Sequence, residues 1–366
     1  MKKSVFYIII LFCIITLSQC RSEENINPNL SSSLDKYADS ILVAQHLPGL
    51  IIGVWNDETK ESYLKGFGYS DIENKKPMST SIPFRIGSIT KTFVVTNVLQ
   101  LVDKDLIDLN QKISFYLPNI PNGDIISVKM LCNMTSGYEN YSATDYFQSI
   151  FATNPLKEWD KQELINLGTS EPLRFAPGTN VYYSNTNTLI LAAIIEKVTG
   201  KTWEESIAQD ILIPLHLNNT YFATKNDFPE NGIQGYDINP SNFELTNVTT
   251  HYNVSWASAA GNMISTPEDL RKWATALVDG TLLSQNTHQQ RFFSNIEPMP
   301  GVIYGLGMFN INSYWGHNGG IPGYNSVLMR DPGKKITIFV MYNYFYDAFP
   351  VNNSVKDIQR LIEKNK

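Results

Sequence analysis

Metal-ligand spacing is missing from this 366-residue chain. Its five histidines (His46, His216, His251, His288 and His317) form no His-x-His pair and no His-Glu-x-x-His, and none is spaced to share a metal with a cysteine. A structural or catalytic zinc site therefore has no support, and no cofactor is expected. Cysteine is scarce too. Cys13 and Cys20 lie near the N-terminus and only Cys132 remains, so no intrachain disulfide staples the mature fold. Cys132 sits among apolar neighbours and reads as a small buried filler rather than a nucleophile. The formal charge is −6, and no run of Lys or Arg is long enough to track a phosphate backbone, which excludes a nucleic-acid partner. There is no Gly-x-Ser-x-Gly elbow, so an α/β-hydrolase triad is not expected.

No apolar run is long enough to cross a bilayer either. After Lys2 and Lys3, the stretch from Val5 to Leu17 falls short of the roughly 20 residues a spanning helix needs and reads as a signal-peptide core, implying export to the cell envelope. The end of that stretch, Leu17-Ser-Gln-Cys20, resembles a bacterial lipoprotein processing site. Cys20 is then the lipid-carrying residue and residues 21–33 a polar tether holding the protein to the membrane. Gln19 departs from the small residue usual before that cysteine, and ordinary secretion and an uncleaved anchor are the alternatives.

About 340 residues remain, enough for a substantial core in one large domain or two lobes. Helices are expected from Leu34 to Gln45 with Ser33 as N-cap, from Ile89 to Val102, from Leu189 to Val198 with a stop at Gly200, from Thr266 through Leu277, and from Val355 to Lys364. Strands are expected at Leu50 to Trp55, Ser62 to Gly68, Tyr304 to Ile311, Tyr314 to Gly319, Tyr324 to Arg330 and Lys335 to Tyr342. Strands at both ends and a helical middle place residues 34–86 and 251–364 in one lobe built on a shared sheet. Residues 87–250 form an inserted helical lobe, and the binding cleft lies between the two.

Three short motifs carry chemistry in this framework: Ser88-Ile-Thr-Lys91, Tyr183-Ser-Asn185 and His317-Asn-Gly319. Ser-x-x-Lys also occurs at Ser33 to Lys36 and at Ser62 to Lys65, but the copy at Ser88 follows Gly87 and opens a helix apolar over much of its circumference. There Lys91 lies one turn on, and the unpaired N–H groups of the helix start favour the charge that develops on an attacking hydroxyl. A low-dielectric site with a second cation draws a lysine toward neutrality and makes it a proton acceptor. Tyr183, on a loop before a buried helix and close to cations, is expected to carry a lowered phenol pKa and to shuttle the serine proton. Asn185 offers a donor and an acceptor to a substrate amide. His317 adds positive or dipolar character beside Tyr183. Gly319 and Gly320 let substrate lie against a strand edge where it gives way to a turn, and the Gly320 and Ser88 N–H groups can form an oxyanion hole. Trp256 suits the cleft and ordinary packing equally well.

With Leu131-Cys-Asn-Met-Thr-Ser-Gly137, Phe175-Ala-Pro-Gly178, Ala260-Gly-Asn-Met-Ile-Ser-Thr266 and Gly305-Leu-Gly307 added, the chain from about Leu34 onward resembles the penicillin-recognising serine hydrolases. These include class C β-lactamases, D-alanyl-D-alanine carboxypeptidases with a His-x-Gly third motif, and related esterases and D-amino-acid peptidases. The resemblance implies an α+β β-lactamase or penicillin-binding-protein-like fold, with an antiparallel sheet flanked by helices and the helical lobe inserted. It also implies an acyl-enzyme at Ser88, proton exchange by Lys91 and Tyr183, and an acyl side chain oriented by Asn185. The resemblance implies a D-peptide amide, an ester or a β-lactam as substrate. Asn318 stands where relatives often have Thr or Ser, and Met308, Phe309 and Asn310 include no carboxylate-binding arginine. Both departures count against a strict D-alanine carboxypeptidase. The alternative from another class is a non-hydrolytic penicillin-binding or sensor lipoprotein of the same fold.

Overall fold

The computed structural model describes residues 23–365, except 240, 241, 243, 294, 295, 299, 300 and 346–348. The expected signal-peptide stretch and Cys20 lie outside the described residues. Thirteen strands occur among them: β1 Glu23–Asn25, β2 Gly49–Asn56, β3 Glu61–Asp71, β4 Lys76–Pro77, β5 Phe84–Arg85, β6 Tyr221–Phe222, β7 Tyr236–Ile238, β8 Leu245–Asn247, β9 Met263–Ser265, β10 Phe309–Ile311, β11 Tyr314–Ile321, β12 Tyr324–Asp331 and β13 Ile336–Tyr342. The main sheet is antiparallel, in the order β1-β3-β2-β13-β12-β11-β10, with β4 on β3. Its centre is therefore assembled from the two ends of the chain, β2 pairing with β13 from Leu50 opposite Tyr342 to Asn56 opposite Ile336.

Ten α-helices accompany the sheet: α1 Pro28–Ala44, α2 Thr90–Asp103, α3 Val128–Cys132, α4 Asp145–Thr153, α5 Lys161–Ser170, α6 Asn185–Thr199, α7 Trp203–Ile207, α8 Pro267–Asp279, α9 Gln285–Arg291 and α10 Phe349–Lys364. The central strands are buried on both faces, which explains their nearly unbroken apolar runs. Alternation divides them between two cores. Leu50, Ile52, Val54, Ile338, Val340 and Tyr342 pack with α1 and α10, whereas Ile51, Trp55, Phe339 and Met341 join the large core that continues into the helices of the middle segment. This is the α+β fold, with an antiparallel sheet and flanking helices, that the motifs implied.

Several boundaries differ from expectation, α6 beginning at Asn185 rather than Leu189 and β3 running on to Asp71 among them. Helix α1 begins at Pro28, its N-cap Asn27 accepting from the Asn29 N–H at 2.9 Å, so the presumed tether is partly folded and Ser33 is an interior helix residue. Asn followed by Pro is a cap-and-first-turn signal that the polar composition hid. Strand β10 covers only Phe309–Ile311, because the backbone turns at Gly307 (φ +74°) and Gly305 N–H bonds back to the Met308 carbonyl. Strand β11 runs through Gly319 and Gly320 to Ile321 before the chain turns at Pro322 and Gly323. Helix α10 begins at Phe349 rather than Val355.

Candidate active site

Helix α2 is enclosed, with every residue from Thr90 to Leu101 buried. It follows directly from a single 3-10 turn, Gly87–Ile89, that presents Ser88, the half-buried residue of that turn. Strand β11 lies almost on the backbone of this turn, and glycine makes the approach possible. A Cβ on Gly319 would stand 1.9 Å from the Ile86 carbonyl oxygen. One on Gly87, whose φ is +51°, would stand 2.9 Å from the Gly320 nitrogen. The Gly320 amide is thereby brought alongside the turn bearing the Ser88 amide, the arrangement a two-donor oxyanion site requires. The glycines of β11 serve close approach within a strand, not the turn expected from sequence. Gly319→Ala is expected to cost about 1–3 kcal/mol of stability through overpacking and to displace Ser88. Denaturant unfolding and the rate of a serine-reactive probe measure the two effects.

Lys91 is wholly buried and donates from Nζ to Ser88 Oγ at 3.1 Å and to the Ala260 carbonyl at 2.7 Å. Its Nζ also stands 4.9 Å from the centre of the Tyr183 ring. No carboxylate pairs with it among the described residues. Burial alone holds its ammonium pKa well below the usual lysine range, with no second cation required. A neutral amine in hydrogen-bond contact with a serine hydroxyl can accept its proton.

Tyr183 precedes α6 and keeps 37% of its surface in solvent, with its hydroxyl directed toward Ser88. Burial of the hydroxyl end raises the phenol pKa above its ordinary value, and the proximity of Ser88 offsets only part of that rise. The lowered phenol pKa expected from sequence is thus reversed: this hydroxyl keeps its proton. His317 is not cationic either. Burial, together with Lys91 nearby, depresses its pKa to about 3 against the opposing bond to the Asn318 carbonyl, so the ring is neutral near pH 7 and contributes only dipolar character.

Asn185 is the first residue of α6, not part of the preceding loop. Its Nδ2 donates to Ser142 Oγ at 3.0 Å and its backbone N–H to Asn140 Oδ1 at 3.2 Å. Ser184 and Thr186 flank it, both donating to the Glu139 carbonyl, at 3.0 and 2.6 Å. The side chain is therefore held at a fixed edge of the cleft.

Several contributors escaped the sequence reading. The Ala260 carbonyl, which holds Lys91, begins a segment quoted for the resemblance, but its role as a backbone acceptor has no side-chain signature. Ser142, which holds Asn185, lies 43 residues before it. Tyr304 packs edge-on against Tyr183, with ring centres 6.1 Å apart, and its hydroxyl lies 3.0 Å from His317 Nε2. Its place beside Gly305-Leu-Gly307 was the available signal. Trp256 packs at the edge of Phe151, 5.3 Å between ring centres, within a larger aromatic cluster. Cys132 is buried, and burial pushes its thiol up to about 12, in keeping with a filler role.

The β-lactamase family model matches residues 34–359. Among solved structures, a D-stereospecific amidohydrolase from a Streptomyces species superposes with a TM-score of 0.79 at 28% identity, covering 91% of this chain and 98% of that one. A D-amino acid amidase from Ochrobactrum anthropi SV3, in complex with L-phenylalanine amide, superposes with a TM-score of 0.78 at 27% identity, covering 92% and 98%. Penicillin-binding protein 4* of Bacillus subtilis (strain 168) is 27% identical over 307 residues, 77% of this chain and 65% of that protein. The chain spans only 62% to 65% of the length of this and two other curated relatives it matches.

Proposed function

The chain belongs to the β-lactamase family, and on that premise we propose that it is a serine hydrolase that cleaves D-configured amides or esters with an uncharged leaving group through an acyl-Ser88 intermediate. The observation that carries the reading is the buried Lys91 Nζ, 3.1 Å from Ser88 Oγ. Lys91 takes the proton of Ser88 as Oγ attacks the carbonyl carbon. The Ser88 and Gly320 N–H groups receive the oxyanion. Tyr183, protonated at rest, gives a proton to the departing amine or alcohol and regains one from the Lys91 ammonium; water then attacks the acyl carbon, its proton returning to Ser88 Oγ by the same groups. Asn185 orients the acyl portion.

The leaving-group preference follows from charge. His317 is neutral and Met308 is buried. Phe309 lies against the His317 ring with centres 5.3 Å apart. The amide of Asn310 is spent on the carbonyls of Gly301 and Asn312. A terminal carboxylate would find no cation from this stretch, whereas ammonia or an alcohol needs none. Similarity to a D-stereospecific amidohydrolase and a D-amino acid amidase supports the same choice.

Incubation with D- and L-phenylalanine amide, D-alanyl-D-alanine peptides, a nitrophenyl ester and fluorescent penicillin tests this reading. Turnover of D-amides or esters without release of terminal D-alanine is expected. Preferential cleavage of the carboxylate-terminated peptides would refute the leaving-group assignment. The family likeness to penicillin-binding proteins favours one other reading, non-hydrolytic penicillin binding, and a stable penicillin adduct with no turnover of any substrate would establish it. Tyr183→Phe is expected to slow acylation about 10²-fold while leaving the dissociation constant of a product-like D-amino acid within about twofold; an unchanged acylation rate would remove Tyr183 from the proton path.

A further inference from the structure

The His317 ring makes two hydrogen bonds whose directions can be assigned from chemistry. Its Nδ1 lies 2.5 Å from the Asn318 carbonyl oxygen, which has no proton to give, so Nδ1 must carry one and donate. In a neutral imidazole the other nitrogen is then bare. That nitrogen, Nε2, lies 3.0 Å from the Tyr304 hydroxyl, which must therefore donate to it. Both ring nitrogens are engaged, and neither holds a proton aimed at substrate.

Tyr304 is fixed from behind. After it, the Leu306 N–H bonds to the Arg291 carbonyl at 2.9 Å and the Gly307 N–H to the Cys132 carbonyl at 3.0 Å. Gly305 lies so close to Arg291 that a Cβ there would stand 2.1 Å from its carbonyl oxygen. The buried Arg291 guanidinium donates to Thr96 Oγ1 on α2 at 2.7 Å and to the Leu277 carbonyl on α8 at 3.0 Å. The loop that aims Tyr304 is thus braced against the helix that begins beside Ser88. The braced hydroxyl caps a buried ring that also faces Tyr183, Lys91 and Phe309.

We propose that Tyr304 is a positioning residue that locks His317 as the Nδ1–H tautomer through the hydrogen bond to Nε2, so that the third motif supplies a fixed dipole and the leaving-group proton comes from Tyr183 alone. The inference rests on the hydrolase reading for its consequence in turnover, but the tautomer exists in the resting protein and is measured without any substrate.

Long-range ¹⁵N–¹H correlation spectra of the full chain, selectively labelled at histidine, read the tautomer directly, with His317→Gln identifying the signal. The wild type is expected to show a protonated Nδ1 and a bare Nε2 for His317, unchanged between pH 5 and 8. The titratable groups facing this ring are Lys91 on α2, Tyr183 before α6 and Tyr304 on the loop before β10. In Tyr304→Phe, which keeps the ring and removes the donor, the pattern is expected to become mixed or titrating, and kcat to fall about five- to tenfold with KM nearly constant. A bare Nδ1 in the wild type overturns the proposal even if the variant fails to fold. An unaltered spectrum in a folded Tyr304→Phe protein overturns it as well. A wild-type spectrum as expected in a protein with no Ser88-dependent turnover would uphold the tautomer lock and refute only the hydrolase reading.

Discussion

Ser88→Ala is expected to abolish the covalent adduct with fluorescent penicillin or a fluorophosphonate and to lower ester or D-amide turnover by about 10⁴-fold or more, while the protein unfolds at the wild-type temperature. The rate loss follows because, among the described residues, Ser88 is the hydroxyl hydrogen-bonded to Lys91 Nζ. The phenol of Tyr183 keeps its proton, and the thiol of Cys132 is buried and pushed up to about 12. The fold should survive because Lys91 retains its 2.7 Å bond to the Ala260 carbonyl when Ser88 Oγ is removed. Intact-protein mass spectrometry decides between outcomes. A single adduct mapped to the peptide containing Ser88 in the wild type, and none in the variant, is the expected result. An adduct of equal yield in Ser88→Ala would assign the nucleophile elsewhere and remove the basis of the proposed mechanism.

What could be read from the sequence divides along a physical line. Helix α2 was legible because Phe93 through Val102 is apolar around most of the helix, and only a helix enclosed on all sides tolerates that. The same enclosure made the direction of the Lys91 shift legible, since an ammonium inside such a segment is desolvated wherever its neighbours lie. Tyr183 was misjudged because its pKa depends on which end of the ring meets solvent, a tertiary fact. Its ring is partly exposed and its hydroxyl is not.

Close approach is equally invisible in one dimension. Adjacent glycines such as Gly319 and Gly320 suggest a turn, and only the 1.9 Å between a Gly319 Cβ and the Ile86 carbonyl shows that they admit another backbone within a continuous strand. Tyr304 belongs to the same class. It meets His317 of β11 from the loop before β10, thirteen residues away, and no spacing rule connects a tyrosine to the tautomer of a histidine so placed. Asn27 and Pro28, by contrast, were readable as a helix start, and composition overruled a local signal that deserved precedence.

Lys91→Met is expected to produce a protein that is nearly inactive and more stable than the wild type near neutral pH. Activity should fall between about 10² and 10⁴-fold, because the proton of Ser88 loses its acceptor. The stability gain follows from the sign of the pKa shift. Burial lowers the native pKa of Lys91, so between that value and the ordinary lysine value of about 10.4 the unfolded chain binds the extra proton. Wild-type stability therefore rises with pH across this window, and the cost of burying the amine is present in full below it. Methionine has similar length and no titrating group, so the variant escapes that cost while giving up the bond to the Ala260 carbonyl, about 1 kcal/mol. Its advantage should be greater at neutral pH than at higher pH and shrink as the pH approaches about 10.4. Urea unfolding of both proteins at pH 7 and pH 9.5 measures the difference. The acid limb of the kcat/KM profile, which reports Lys91 giving up its proton as pH rises, should vanish from the variant's residual activity. A wild type more stable than the variant at pH 7, with the gap unaltered at pH 9.5, would mean that the lysine is charged and compensated in the folded protein, and Lys91 could not then serve as the base.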